Sequence, residues 1–168
     1  MNNYGDTPVE EKVTVNRAQI EHRATWMALI YDEMVKAGVE DAEGIVRRAI
    51  RRTGHFHGQR LLAGRESLTD CSAFQKEFLG EEETLVPQTF KMKLRADEDN
   101  CYADFHYCAL LSAWKKLGFD DETCALLCDM AMDGDRGIAE EIGIRLELTD
   151  TLAKGCETCK LHFCKKEE

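Results

Sequence analysis

The sequence predicts an α+β fold, an antiparallel sheet with helices packed on one face and a helical N-terminal part. Two observations carry that reading. Apolar residues recur at helical spacing through the first half of the chain, and then alternate singly with charged residues in two later stretches. The order of elements is helices, hairpin, helices, hairpin, with neither a regular strand–helix alternation nor a repeat period, which is the pattern of a segregated α+β layer rather than a doubly wound sheet.

Taken in order, residues 1–15 are expected to be a flexible N-terminus and residues 16–168 a single domain. Asn16 can cap a first helix, with Gln19 closing a capping box, and Ile20, Ala24, Met27, Tyr31 and Met34 recur along it until Gly38. A second helix runs from Asp41 into Leu62, and a shorter one carries Cys71, Phe74 and Phe78 on one stripe.

After Gly80 the period changes. Phe90, Met92 and Leu94 alternate with Lys91, Lys93 and Arg95 as a half-buried strand requires, and the polar stretch from Asp97 to Asn100 turns it into a second strand, Cys101 to Tyr107. Two helices follow. One runs from Ala109 to Leu117 and stops at Gly118; the next opens at Asp120 or Asp121 and places Cys124, Cys128, Ala131 and Asp135 on one face. Ile144, Leu146 and Leu148 mark a third strand. A turn at Lys154 and Gly155 leads to a last strand that points Cys159, Leu161 and Phe163 to one side and Lys160, His162 and Cys164 to the other.

At 168 residues the chain is long enough to bury about two-thirds of the surface its unfolded form exposes, so it needs no staple to fold. Its net charge of -10, from 22 Lys and Arg against 32 Asp and Glu, opposes binding to polyphosphate or an anionic membrane. The basic group Arg47, Arg48, Arg51 and Arg52 is too local to reverse that field and reads as a solvated helix face. No stretch approaches the ~20 apolar residues that span a bilayer, and Met1 to Glu11 lacks the build of a signal peptide. A cytoplasmic location is therefore expected, with the eight cysteines as thiols, ligands or nucleophiles rather than disulfides. The expected partner is a small-molecule substrate, with no nucleic acid and no membrane; a homo-oligomer is compatible with the sequence.

Several constellations can carry chemistry. Cys108 follows a strand and opens a helix, where free backbone N–H groups and the helix dipole lower a thiol pKa, and Asp104 and His106 stand close in sequence. The alternative is a buried cysteine packed as a small hydrophobe. Cys124 and Cys128, with Asp135 two turns below on the same helical face, can converge on a ligand or metal, the alternative being buried cysteines on a core stripe, and a carboxylate on an apolar face implies a partner or a task. Cys156 and Cys159 have zinc-ribbon spacing but no second pair to complete it. His55 and His57 lie about 200° apart on a helix and cannot ligate together.

The ordered motifs Cys108-Ala-Leu-Leu-Ser-Ala-Trp114-Lys-Lys-Leu-Gly118, Leu127-Cys128-Asp129 with Asp135, and Leu146-Glu-Leu-Thr-Asp-Thr151-Leu-Ala-Lys-Gly155 leading to Cys159-Lys-Leu-His-Phe163 resemble the core pattern of the L-2-amino-thiazoline-4-carboxylic acid hydrolase family. Ala49, Ile50, Gly54 and Gly58 suit its helical N-terminal part. The resemblance spans roughly residues 20–164. It departs from the pattern at Ala109, where proline is expected, and at Cys156, where the turn usually reads Gly-Asp.

The resemblance implies a hydrolase that opens a small cyclic amidine, thiazoline or amide. Cys108 would serve as nucleophile, His106 or Asp135 would move protons, and Cys128 and Cys159 would line the same pocket. Cofactors are either none or one zinc-type metal ion, held by Cys108, Cys128 and Cys159 with water in the fourth position. The closing segment from Gly155 through Cys159 to Phe163 is also similar to vinyl-reductase-type domains, which implies a non-catalytic small-molecule-binding or sensor function as the alternative.

Overall fold

Pro8, followed by Glu10 and Glu11 in the first turn, starts helix α1 at Val9 rather than at Asn16, and the helix runs to Lys36. Proline's fixed φ and acids at a positive dipole end favour that start. Asn16 does not cap; its amide donates instead to the Thr89 hydroxyl at 2.9 Å, so a tertiary contact takes the side chain that local propensity assigned to the cap. The computed structural model describes residues 8–166, of which 9–15 belong to α1; the expectation for residues 1–7 lies outside the described residues.

The second helix, α2, spans Ala42–Leu62. A short helix α3 (Cys71–Phe74) is capped by Asp70, whose carboxylate accepts from the N–H of Ser72 and Ala73, and it passes into a π-helical turn over Gln75–Leu79. Helix α4 covers Leu85–Phe90 and ends on Lys91 at φ 51°, so Phe90 closes a helix and strand β1 begins only at Met92, running to Ala96. The hairpin then forms as the sequence indicates. Asp97 accepts from the N–H of Asp99 and Asn100 at 2.9 and 2.8 Å, and β2 follows over Asn100–Phe105.

Helix α5 (Ala109–Lys116) is stopped by Gly118 at φ +84°. The next helix, expected to carry Cys124 through Asp135 unbroken, is two: α6 (Asp121–Ala131) and α7 (Asp133–Ile142), divided at Met132. The break has a visible cause. Arg136 donates to the Asp129 carbonyl at 2.9 Å and to both the Asp129 and Asp133 carboxylates, which folds the corner shut. Asp135 therefore lies one helix on from Cys128.

Strand β3 (Ile144–Leu148), a 3-10 turn at Leu152–Lys154 and strand β4 (Cys159–Lys165) complete the chain. All four strands pair antiparallel in the order β1-β2-β4-β3, with Cys101 opposite Phe163 and Leu146 opposite Phe163 from the other side. One sheet face, with Met92, Ala103, Leu161 and Phe163, packs with Phe74 and Ile142 into a core. A second core surrounds Trp114, whose indole N–H donates to the Ala24 carbonyl at 3.1 Å, and joins α1, α5 and α6. No helix among the described residues is long and apolar enough to cross a membrane.

Helices α2 and α7 approach through glycines. A Cβ on Gly54 would lie 2.1 Å from the Gly134 carbonyl oxygen, and one on Gly137 would lie 2.4 Å from the Arg51 carbonyl oxygen. Neither obstacle is a side chain that can swing away. Gly54→Ala should therefore cost about 1–3 kcal/mol or more by forcing the helices apart, even though alanine favours a helix. An unfolding midpoint equal to the parent's in urea would show that the pair can separate freely.

Basic residues of α2 use the same interface. Arg47 reaches Asp129 and Asp133 at 2.7 and 3.0 Å, Arg51 reaches Asp133 at 3.1 Å and also pairs with Glu140, and only Arg48 of these three stays on the surface, with Asp41. Of the four basic residues, Arg47 and Arg51 thus clamp α2 to its neighbours, while Arg48 and Arg52 stay on the exposed face the sequence indicates.

Candidate functional site

The end of β2 delivers Cys108 to the N-cap of α5, where its sulfur accepts from the Leu111 N–H at 3.5 Å. Around it lies a cavity of about 350 Å³ that is also lined by Cys128 of α6, Asp135 of α7, Cys159 of β4 and Thr151. Four of the five side chains singled out in the sequence thus meet at one place, although the shared helical face that suggested it does not exist. The α6–α7 corner brings Asp135 back over the cavity that Cys128 faces.

His106 is not brought in. It is exposed, its ring Nδ1 lies 3.0 Å from the Lys91 carbonyl, and it is absent from the cavity wall. The other histidines of interest are also elsewhere: His55 pairs with Glu141 at 2.9 Å, while His57 is an exposed residue of α2.

The electrostatics correct a second expectation. The helix start does pull the Cys108 thiol pKa down, through the N–H groups of Leu111 and Leu110, but burial raises it by more, so the net shift is upward. Burial likewise pushes the Cys128 thiol up to about 12, reinforced by the neighbouring Cys108 and Cys159, while a hydrogen bond from Thr151 pulls the other way. Cys159 is raised to about 11 by burial, despite accepting from the Leu152 N–H at 3.2 Å. At neutral pH these are three thiols, not thiolates.

Asp135 supplies the carboxylate of this cavity wall. Burial raises its pKa to about 6, against the opposing pull of Arg23, its own backbone N–H and Arg136. Its accessible part faces the cavities it lines.

Among the described residues no three His, Cys, Asp or Glu side chains are arranged to hold a metal ion. Cys108, Cys128 and Cys159 adjoin one another, yet they do not form the open tetrahedral set that the sequence allowed. Cys156 stays half-buried on its turn and joins no second pair.

Two residues were missed by sequence reasoning. Thr151, 4% exposed, caps the 3-10 turn and touches Cys128. Arg23 lies on the solvent side of α1 by periodicity, and no local signal marks it; it lines the cavity together with Asp135.

Comparison with known proteins bears on this site. No curated protein matches the chain. Among solved structures, the chain is similar to a trafficking protein particle complex subunit 3 from Naegleria fowleri covalently bound to palmitic acid. The TM-score is 0.50 at 10% identity, over 86% of this chain and 96% of that one, a likeness of fold alone. The family model for L-2-amino-thiazoline-4-carboxylic acid hydrolase matches residues 17–163, which reach from within α1 to within β4 and include Cys108, Cys128, Asp135 and Cys159. The chain belongs to the L-2-amino-thiazoline-4-carboxylic acid hydrolase family.

Proposed function

We propose that the protein hydrolyses a small cyclic amidine or related thiazoline, with Cys108 as nucleophile and Asp135 as proton carrier. The observation that carries this reading is the meeting of Cys108, Cys128, Cys159 and Asp135 on one cavity in a member of a hydrolase family.

The reaction balances with water alone. The Cys108 sulfur attacks the carbon between the ring nitrogen and ring sulfur, and as the ring C–S bond breaks, the proton lost by Cys108 passes through Asp135 to the leaving sulfur. Water then adds to the same carbon and the bond to Cys108 breaks. A urea-type product departs and Cys108 is again a thiol. N–H groups at the start of α5 are the donors available to charge that develops during attack. A resting thiol suits this scheme, since its proton must leave only as the sulfur attacks, and a carboxyl with a pKa of about 6 is matched to receive it. The direct test is incubation with 2-amino-thiazoline-4-carboxylate and detection of the carbamoyl product with one new thiol per turnover. Absence of ring opening at high enzyme concentration counts against the reading.

Asp135 as the first proton acceptor makes a pH prediction. The acceptor is the carboxylate, so kcat/KM should fall as pH drops through about 6, and a profile flat through that region contradicts the role. Stability should move the opposite way. The folded-state pKa is raised above 3.8, so the folded protein holds this proton more tightly than the unfolded chain; Asp135's contribution is greatest below 3.8 and is lost as pH rises through about 6. Asp135→Asn should thus gain about 1–3 kcal/mol at neutral pH while losing turnover.

A second reading is a binding domain without turnover. It is favoured by the apolar wall of the thiol cavity, which includes Phe78, Phe90, Phe105 and Leu161, and by the palmitic acid covalently bound in the Naegleria fowleri subunit. Native mass spectrometry showing a retained apolar ligand, together with no ring opening, selects this reading.

A further inference from the structure

A second cavity, of about 740 Å³, adjoins the thiol cavity and shares with it the walls formed by Arg23, Phe78, Leu110 and Asp135. Arg23 and Asp135 lie close enough to interact electrostatically at this shared wall. The outer part adds Arg60, His57 and Glu77.

The charges here do not cancel. Glu77 is already held by Arg65 at 2.6 Å, while Arg60 has only the Phe56 ring, 5.9 Å away, and Arg23 makes no ion pair or hydrogen bond among the described residues. In a chain of net charge -10, where Arg47, Arg51 and Arg136 are all engaged by carboxylates, Arg60 lines the outer cavity without an ion pair among the described residues, and Arg23 lines both cavities with Asp135 as its neighbouring carboxylate. A guanidinium fork is suited to a planar oxyanion. The Asp135 carboxylate beside it disfavours a dianion such as phosphate, and the inner wall favours an apolar body.

We propose that Arg23, with Arg60 behind it, holds the carboxylate of a small, apolar-bodied acid at the junction of the two cavities, leaving the rest of the molecule among the thiols. This rests on the proposed hydrolase for the fate of the ligand, but not for its capture. Arg23 is then the residue that sets specificity for acids over their neutral analogues.

Trp114 lines the thiol cavity and Trp26 is exposed, so in a Trp26→Phe background the remaining indole reports filling of the cavity. The probes are 4-phenylbutyrate and its neutral amide. The acid should bind about tenfold more tightly than the amide, the worth of one charge-assisted hydrogen bond. Arg23→Gln should erase that preference without changing amide affinity, and Arg23→Lys, which keeps the charge and loses the fork, should retain part of it. Equal binding of acid and amide by the parent, no binding of the acid, or an undiminished preference in Arg23→Gln overturns the proposal. An acid preference in a protein that fails to open 2-amino-thiazoline-4-carboxylate leaves the anion site standing and removes the hydrolase.

Discussion

Cys108→Ser should lower turnover by at least about a thousandfold while leaving the unfolding midpoint close to the parent's, because a serine hydroxyl at the same place is a far weaker nucleophile than sulfur. The position tolerates serine structurally for a reason visible in the fold. Cys108 is the N-cap of α5, its sulfur already accepts from the Leu111 N–H, and serine is a preferred N-cap. The same change at Cys159 tests a different balance. Its sulfur also accepts a backbone N–H, from Leu152, but it sits 7% exposed in the sheet core, where an extra hydroxyl without a second partner costs about 1–3 kcal/mol. Cys71→Ser is the control for the cavity: that thiol is fully buried near the β1–β2 turn and bonds the Asp99 carbonyl, so its loss can affect stability but not the reaction. Turnover and urea unfolding measured on the three variants separate chemistry from packing. A Cys108→Ser protein as active as the parent removes the nucleophile and favours the binding reading.

Local rules explain why so much of the sheet and of α5 could be read from the residues. The alternation of Met92 and Leu94 with Lys93 and Arg95 admits only a one-sided strand, Asp97 supplies its own turn, and Gly118 and Gly155 stop their elements because each adopts positive φ. The departures are all tertiary. Helical periodicity runs through Cys124, Cys128, Ala131 and Asp135 without a gap, and nothing within that segment reveals that Arg136 will fold it at Met132 against α2. Asn16 is a good cap by propensity and is used elsewhere, by Thr89.

The candidate site divides along the same line. Cys108, Cys128, Cys159 and Asp135 could be gathered from the ordered motifs, because a motif encodes the fold that assembles it. His106 could not be excluded by that route, since proximity in sequence to Cys108 says nothing about which way a strand end turns its side chain; the Lys91 carbonyl holds it outside. The Cys108 thiol pKa departs from the sequence expectation for a related reason. A helix N-terminus is a local feature, burial is not, and for Cys108 burial outweighs the N–H groups.

The residue whose loss should cost most in stability is one the motifs do not mark, Asp133. Its carboxylate is 5% exposed and accepts from three guanidinium groups, Arg47 at 3.0 Å, Arg51 at 3.1 Å and Arg136 at 3.2 Å. It is the pivot of the α2–α7 contact and of the α6–α7 corner together. Whether such a network adds net stability over an apolar packing is a separate matter, because desolvation opposes the Coulomb gain. Removing one partner is different, since the three arginines then lose the acceptor they share and keep only Asp129, for Arg47 and Arg136, or Glu140, for Arg51, at this interface. Asp133→Ala would leave three positive groups facing one hole, and a broken buried pair costs about 3–5 kcal/mol. The arginines are 27–40% exposed and can relax toward water, so the lower end of that range is expected. The corner that aims Asp135 at the cavity should loosen as well, so turnover should fall further than the stability loss alone explains. Arg48→Ala is the comparison, because its pair with Asp41 is exposed on both sides and should change nothing measurable. Urea unfolding of the two variants decides the point: an Asp133→Ala protein as stable as Arg48→Ala would mean that the three arginines find water or other carboxylates at no cost, and that the Arg136–Asp129 contacts suffice to hold the corner.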